Sequence, residues 1–149
     1  MTAYLDSSAL VKLYYPEEYS DALQAWVHRH TPELLVTPLH SLELLSAMAQ
    51  KEFRGEITQE SRAQWEIYFE RDQVGGVLSR LVPDWPRVFD DAGRITRELT
   101  RRIGTRSLDV LHIAVARLSP IDLFVTNDAR QGHAAREAGL TVRFVSALP

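Results

Sequence analysis

Short apolar runs alternate along the chain with longer segments whose apolar residues recur at helical spacing. That alternation predicts an α/β domain with a mainly parallel sheet. Ala3-Tyr4-Leu5 reads as a short buried strand. A helix should open near Ser8 and stop before Pro16, and Ser20 can cap a second one with Leu23, Trp26 and Val27 on its inner face. Leu34-Leu35-Val36 is the next strand candidate. Thr37 as N-cap and Pro38 in the first turn then open a long helix to about Arg54, which Gly55 ends. Thr58 caps another helix through Trp65, Ile67 and Phe69. Between Gly75 and Pro86 the pattern is weakest, with Leu81-Val82 as a candidate edge strand. A helix from Pro86 to about Ile103, closed by Gly104, comes next. Ser107 then caps the strongly apolar helix Leu108–Leu118. Leu123–Thr126 is the clearest strand, followed by a helix over Ala129–Ala138, Gly139 and a final strand at Val142–Val145. No repeat, low-complexity tract or linker breaks the pattern, so residues 1–149 read as a single domain.

Composition narrows the class. A chain of 149 residues can bury roughly 68–70% of its unfolded surface, enough for a true core. A hydrophobic content of 45% with 25% charged residues is that of a soluble globular protein. The absence of cysteine excludes disulfide staples, thiolate zinc sites and cysteine nucleophiles, and it fits a cytoplasmic location. The opening MTAYLDSSALVKLYYPEE lacks the basic segment and apolar core of a signal peptide. No stretch approaches the roughly 18 apolar residues of a spanning helix, so no membrane contact is expected. The net charge of −3 gives no global attraction to nucleic acid. A polyanion would have to be held by a local basic patch or by metal ions.

Four of the 20 acidic residues stand out by position. Asp6 follows the first strand and Asp128 follows Leu123–Thr126, where an open α/β sheet gathers its ligands. Asp109 and His112 are the only strongly polar side chains in the apolar stretch Leu108–Ala116, and Glu43 repeats that anomaly between Leu42 and Leu44. A buried ionised carboxylate is costly unless it is paired, hydrogen-bonded or metal-bound. Convergence of all four would force like charges together, a penalty that a divalent cation removes. An all-carboxylate site suits Mg²⁺ or Mn²⁺ rather than Zn²⁺, and such ions activate water and stabilise leaving oxygens in phosphodiester cleavage. Each acid also has a plainer role. Asp6 and Asp128 can cap the helices that follow them, Asp109 can serve a helix dipole, and Glu43 can pair with a buried arginine.

Around these acids, Ser8 and Asn127 are candidates for orienting a carboxylate or a metal-bound water, with turn and cap chemistry as the alternative. His112, one helical turn beyond Asp109, reads first as an interior, hydrogen-bonded histidine and second as a general acid. Arg94, Arg97, Arg101, Arg102 and Arg106 crowd the approach to Asp109. Arg106 and Arg130 are candidate RNA phosphate contacts. The alternative for this basic stretch is a solvated face softened by Asp90–Arg94 and Glu98–Arg102 pairs.

The block Tyr4-Leu5-Asp6-Ser7-Ser8-Ala9-Leu10-Val11-Lys12-Leu13-Tyr14 resembles the opening of PIN-domain proteins, particularly VapC-type toxins of toxin–antitoxin pairs. Ser41-Leu42-Glu43-Leu44, Leu108-Asp109-Val110-Leu111-His112-Ile113-Ala114 and Val125-Thr126-Asn127-Asp128 follow in the family's order. The resemblance implies a three-layer α/β/α sandwich around a parallel sheet. It also implies an endoribonuclease dependent on Mg²⁺ or Mn²⁺, with Asp6, Glu43, Asp109 and Asp128 as catalytic and metal-binding acids. A small antitoxin partner and a homodimer are implied as well, for which Tyr14, Tyr15 and Trp26 offer candidate apolar contacts. Two other readings stay open. A receiver- or phosphatase-like domain would use Asp6 with a suitably placed lysine, although Lys12 and Lys51 are the only lysines. A non-catalytic RNA- or protein-binding scaffold would keep the acids for the fold alone.

Overall fold

The computed structural model describes residues 1–148. Five strands form one sheet: β1 (Thr2–Leu5), β2 (Glu33–Val36), β3 (Leu78–Arg80), β4 (Leu123–Thr126) and β5 (Val142–Phe144), in the order β3-β2-β1-β4-β5. Every neighbouring pair is parallel, with Ala3 opposite both Leu34 and Leu123, and Leu5 opposite Val125.

Successive strand residues feed opposite faces of the sheet, and both faces are covered. Ala3, Leu5, Leu34, Val36, Leu78, Leu123 and Val125 share one core with Ala9, Leu23, Trp26, Leu44, Met48, Trp65 and Phe69. These helical residues come from α1 (Ser7–Leu10), α2 (Ser20–His30), α3 (Pro38–Phe53) and α4 (Gln59–Val74). Tyr4, Leu35 and Phe124 point the other way, into a second core with Val88, Ile95, Val110, Ile113, Ala134 and Ala135. That layer is built by α5 (Trp85–Ile95), the short α6 (Arg101–Ile103), α7 (Ser107–Arg117) and α8 (Ala129–Glu137). A sheet buried on both faces needs near-continuous apolar strands, which is the pattern the chain carries. No helix is long and apolar enough to cross a membrane among the described residues.

Several local expectations shift. The edge strand is Leu78–Arg80 rather than Leu81–Val82, because Leu78 is the residue that enters the core opposite Leu34 while Val82 is 88% exposed. Leu81 still donates its N–H to Val36 O (2.8 Å) before the chain leaves the sheet at Pro83. Thr96–Thr100 forms a π turn between α5 and α6, so the expected helix to Ile103 is not one regular spiral, and the shared arginine face is interrupted. Arg94 turns to Asp91 (3.0 Å), which also takes Arg117 of α7 (3.4 Å), and Arg102 pairs with Glu137 (2.6 Å). The anticipated partners were Asp90 and Glu98. Ser20 begins α2, but its hydroxyl accepts the Glu17 N–H (2.9 Å) instead of capping the helix. Trp26 is buried, and Tyr14 and Tyr15 are only partly exposed, so core packing accounts for Trp26. The large exposed apolar side chains are others, among them Leu42, Phe53 and Val74.

The fit of α8 against β5 depends on a glycine. A Cβ on Gly132 would stand 2.3 Å from Phe144 Cε1 and 3.1 Å from Thr126 Cγ2. Gly132→Ala should therefore push the Phe144 ring out of place and cost about 1–2 kcal/mol, measurable as a lower urea midpoint. An unchanged midpoint would mean that the ring yields freely.

Candidate active site

Strand order reverses between β1 and β4. From β1 the chain winds outward to β2 and β3 on one side and to β4 and β5 on the other. The crevice outside the carboxyl ends of two such strands is where open α/β sheets collect ligands. α1, α3 and α8 follow β1, β2 and β4 directly and begin at that edge, and α7, which runs back to the start of β4, begins there as well, so their N-terminal residues gather there. This geometry explains why three of the four singled-out acids meet at one end of the sheet.

Asp6 follows β1 and is 1% exposed. Its Oδ1 accepts from Ala9 N–H (2.9 Å), which caps α1, and from the Ser8 hydroxyl (2.8 Å). Its Oδ2 accepts from the Thr126 hydroxyl at the end of β4 (2.5 Å). Ser8 in turn accepts the Asn127 N–H (3.0 Å), so the ends of β1 and β4 are sewn together through this carboxylate. Burial pushes the Asp6 carboxyl from 3.8 up to about 6, even though Thr126, His112, Ser8 and Ala9 all pull it down. The charged form is held but under-compensated.

Asp128 caps α8 through Oδ1, which accepts from Gln131 N–H (3.0 Å). Asp109 sits in the first turn of α7, and its Oδ2 reaches back to the Arg106 N–H (3.0 Å). Ser107, the anticipated cap, is instead the first helical residue. The carboxylate three positions into the helix does the capping. The plain and functional roles of these acids thus coexist, since each cap occupies one oxygen of its carboxylate.

Glu43 lies in the second turn of α3, on a helix whose outer face leaves Leu42 and Leu45 exposed. Its Oε2 accepts from the Ser7 hydroxyl (2.6 Å) and from His112 Nε2, while His112 Nδ1 pairs with the Tyr4 hydroxyl (2.8 Å). Tyr4 is kept protonated by burial. The network closes with Tyr4 donating to Nδ1 and Nε2–H donating to Glu43. Burial pulls Glu43 upward, but the hydrogen bonds from His112 and Ser7 and the Arg106 charge outweigh it and leave the carboxyl below its ordinary range. Beside it, His40 accepts the Thr37 N–H at Nδ1 (3.0 Å) and donates from Nε2 to Leu5 O (2.8 Å). Burial holds His40 well below the usual histidine range, hence neutral. It is a strut that anchors α3 to the end of β1.

The family model described as PIN domain matches residues 3–137. The chain belongs to the PIN-domain family. Among solved structures, FitAcB from Neisseria gonorrhoeae aligns over 99% of this chain and 100% of its own, with a TM-score of 0.67 and 15% identity. That likeness establishes a shared fold. No curated protein matches.

In this PIN domain the basic residues divide. Arg106 turns to the acids: Nε lies 3.3 Å from Asp109 Oδ2 and Nη2 lies 3.9 Å from Asp128 Oδ2. Arg130 lies over the turn before it, where a Cβ on Gly104 would stand 3.9 Å from its guanidinium. Arg94 and Arg102 are drawn off into ion pairs elsewhere. Asn127 contributes its backbone N–H to the site, and its side chain is exposed.

Side chains that the sequence reading passed over do much of the positioning. Ser7 fixes Glu43. Thr126 holds Asp6 and also accepts the Asp128 N–H (3.0 Å). Gln131 donates to Asp109 O (3.2 Å), joining α8 to α7 beneath the acids. A hydroxyl ending a wholly apolar strand, two residues before an acid, was the available signal for Thr126.

The donor set fits a hard divalent cation by its chemistry. All four groups are carboxylates, and in Glu43 and Asp109 the hydrogen bonds fall on one oxygen, leaving the other. Asp6 is a buried carboxylate whose raised pKa a nearby positive charge would lower. As the side chains stand, no three His, Asp or Glu groups among the described residues are close enough together to hold an ion. Arg106 is the cation that Asp109 and Asp128 face.

Proposed function

We propose that this PIN domain is an endoribonuclease dependent on Mg²⁺ or Mn²⁺ and acts in the cytoplasm as the toxin of a type II toxin–antitoxin pair. The observation that carries the proposal is the buried, under-compensated carboxylate of Asp6 at the sheet's switch point, with Glu43, Asp109 and Asp128 on the helices that start at the same edge. Asp6, Glu43, Asp109 and Asp128 would hold the ion. When bound, it would supply an activated water and charge stabilisation on the leaving oxygen. Ser8 and Thr126 keep Asp6 oriented, and Ser7 and His112 keep Glu43 oriented, so these two carboxylates are held in place. Arg130, and Arg106 once turned outward, supply fork-shaped phosphate contacts at the rim. The net charge of −3 leaves RNA binding to this local chemistry. The family resemblance adds a small antitoxin and a homodimer as the expected partners.

A receiver- or phosphatase-like use of Asp6 is disfavoured by both lysines. Lys12 is buried against Glu17 (3.1 Å), and Lys51 is engaged by Glu17 and Glu56 (3.5 Å each). Neither attends Asp6. Purified protein should cleave structured RNA with added Mg²⁺ or Mn²⁺, stop when a chelator is present, and lose cleavage in Asp109→Asn. Undiminished cleavage in excess chelator, or by the Asn variant, would overturn the site. Metal binding without cleavage of any of a varied set of RNAs would favour the scaffold reading.

A further inference from the structure

We propose that Arg106 is a built-in counter-ion of the acidic site, standing in for the divalent cation while it is absent and giving way when it binds. The inference rests on the reading of these acids as metal donors, and it concerns a residue outside that donor set. The guanidinium touches Asp109 through Nε (3.3 Å) and approaches Asp128 through Nη2 (3.9 Å), two of the groups the ion would use.

Two features make it displaceable. The Arg106 side chain is 76% exposed, so swinging outward restores no lost hydration and leaves no cavity. The helix cap does not depend on it either, because Asp109 is also held by the Arg106 backbone N–H (3.0 Å), which every substitution except proline keeps. An exposed ion pair of this kind contributes little to stability by itself. Its weight lies in competition. A cation arriving at Asp109 and Asp128 must repel the guanidinium or evict it, and either outcome weakens the apparent affinity by on the order of tenfold.

The test is a calorimetric titration of Mn²⁺ into chelator-treated full chain, for wild type, Arg106→Ala and Arg106→Lys, with thermal unfolding in the same buffer. Arg106→Ala should bind Mn²⁺ about tenfold more tightly and gain more in Tm at saturating Mn²⁺, while starting from an equal or lower metal-free Tm. Arg106→Lys, which keeps a charge without the fork, should stay near wild type. Should Arg106→Ala misfold, Arg106→Gln keeps the stem and serves the same comparison. Equal or weaker Mn²⁺ affinity in a folded neutral variant would overturn the proposal and reduce Arg106 to an ordinary surface pair. Absence of Mn²⁺ binding in every variant would overturn it together with the metal reading. Tighter Mn²⁺ binding in a protein that cleaves no RNA would sink only the nuclease.

Discussion

Asp6→Asn should give a protein that has lost its activity and is more stable than the parent in the absence of metal. Burial raises the Asp6 carboxyl from 3.8 to about 6, so the native state keeps this proton in a range where the unfolded chain has lost it. The stability that Asp6 contributes is therefore full below about pH 4 and is lost as pH rises through about 6. At pH 7.5 the metal-free fold carries a buried carboxylate that costs up to about 3 kcal/mol relative to its neutral form. An amide removes that penalty and keeps the geometry. Asn Oδ1 can still accept from Ala9 and Ser8, and its NH₂ can donate to Thr126, whose own proton then turns toward Gln131. Urea unfolding in chelator should show the variant gaining on wild type between pH 4 and pH 7.5. Cleavage should fall by more than the roughly 10–100-fold that partners of a metal ligand cost. A variant less stable than wild type by the same margin at both pH values would show that the charge is not what strains this position.

The second large effect is expected at Thr126→Val, which keeps the branched shape in β4 and deletes one hydroxyl. That hydroxyl donates to Asp6 and accepts from the Asp128 N–H, so a single change loosens two acids on two elements. Losing a hydrogen bond to a charged group and orphaning a backbone N–H together cost about 2–4 kcal/mol. Mn²⁺ affinity should drop about 10–100-fold, and Thr126→Ser should restore most of both. Wild-type Mn²⁺ affinity in a folded Thr126→Val would show that Asp6 needs no support from β4.

Much of this was legible in the order of residues. The parallel sheet followed from short apolar runs alternating with helix-period segments, and Thr37, Thr58, Gly55 and Gly104 marked helix ends because their chemistry is local. Asp6, Asp109 and Asp128 were visible because helix starts and strand ends can be found by pattern, and a parallel sheet brings these together. The rest depended on distance in space. Nothing near Glu43 in the chain announces His112, which lies 69 residues on, and nothing near Asp6 announces Thr126, 120 residues away. The π turn at Thr96–Thr100 hides within an unbroken helical pattern. The edge strand slipped by three residues because Leu78 and Leu81 look alike until one is seen facing Leu34. Arg94 misled in the same way, since i,i+4 spacing suggested Asp90 where the core offered Asp91.

The pairing of β1 with β4 bears on timing during synthesis. Leu5 and Val125 are neighbours in the sheet, yet a ribosome making roughly 5–20 residues per second needs on the order of ten seconds to travel from one to the other. Throughout that interval the nascent chain carries Asp6 with no complete β4 beside it, no Thr126 to hold it and no Asp128 to join it. The site is assembled from the first strand and nearly the last, so it cannot close until most of the chain has been made.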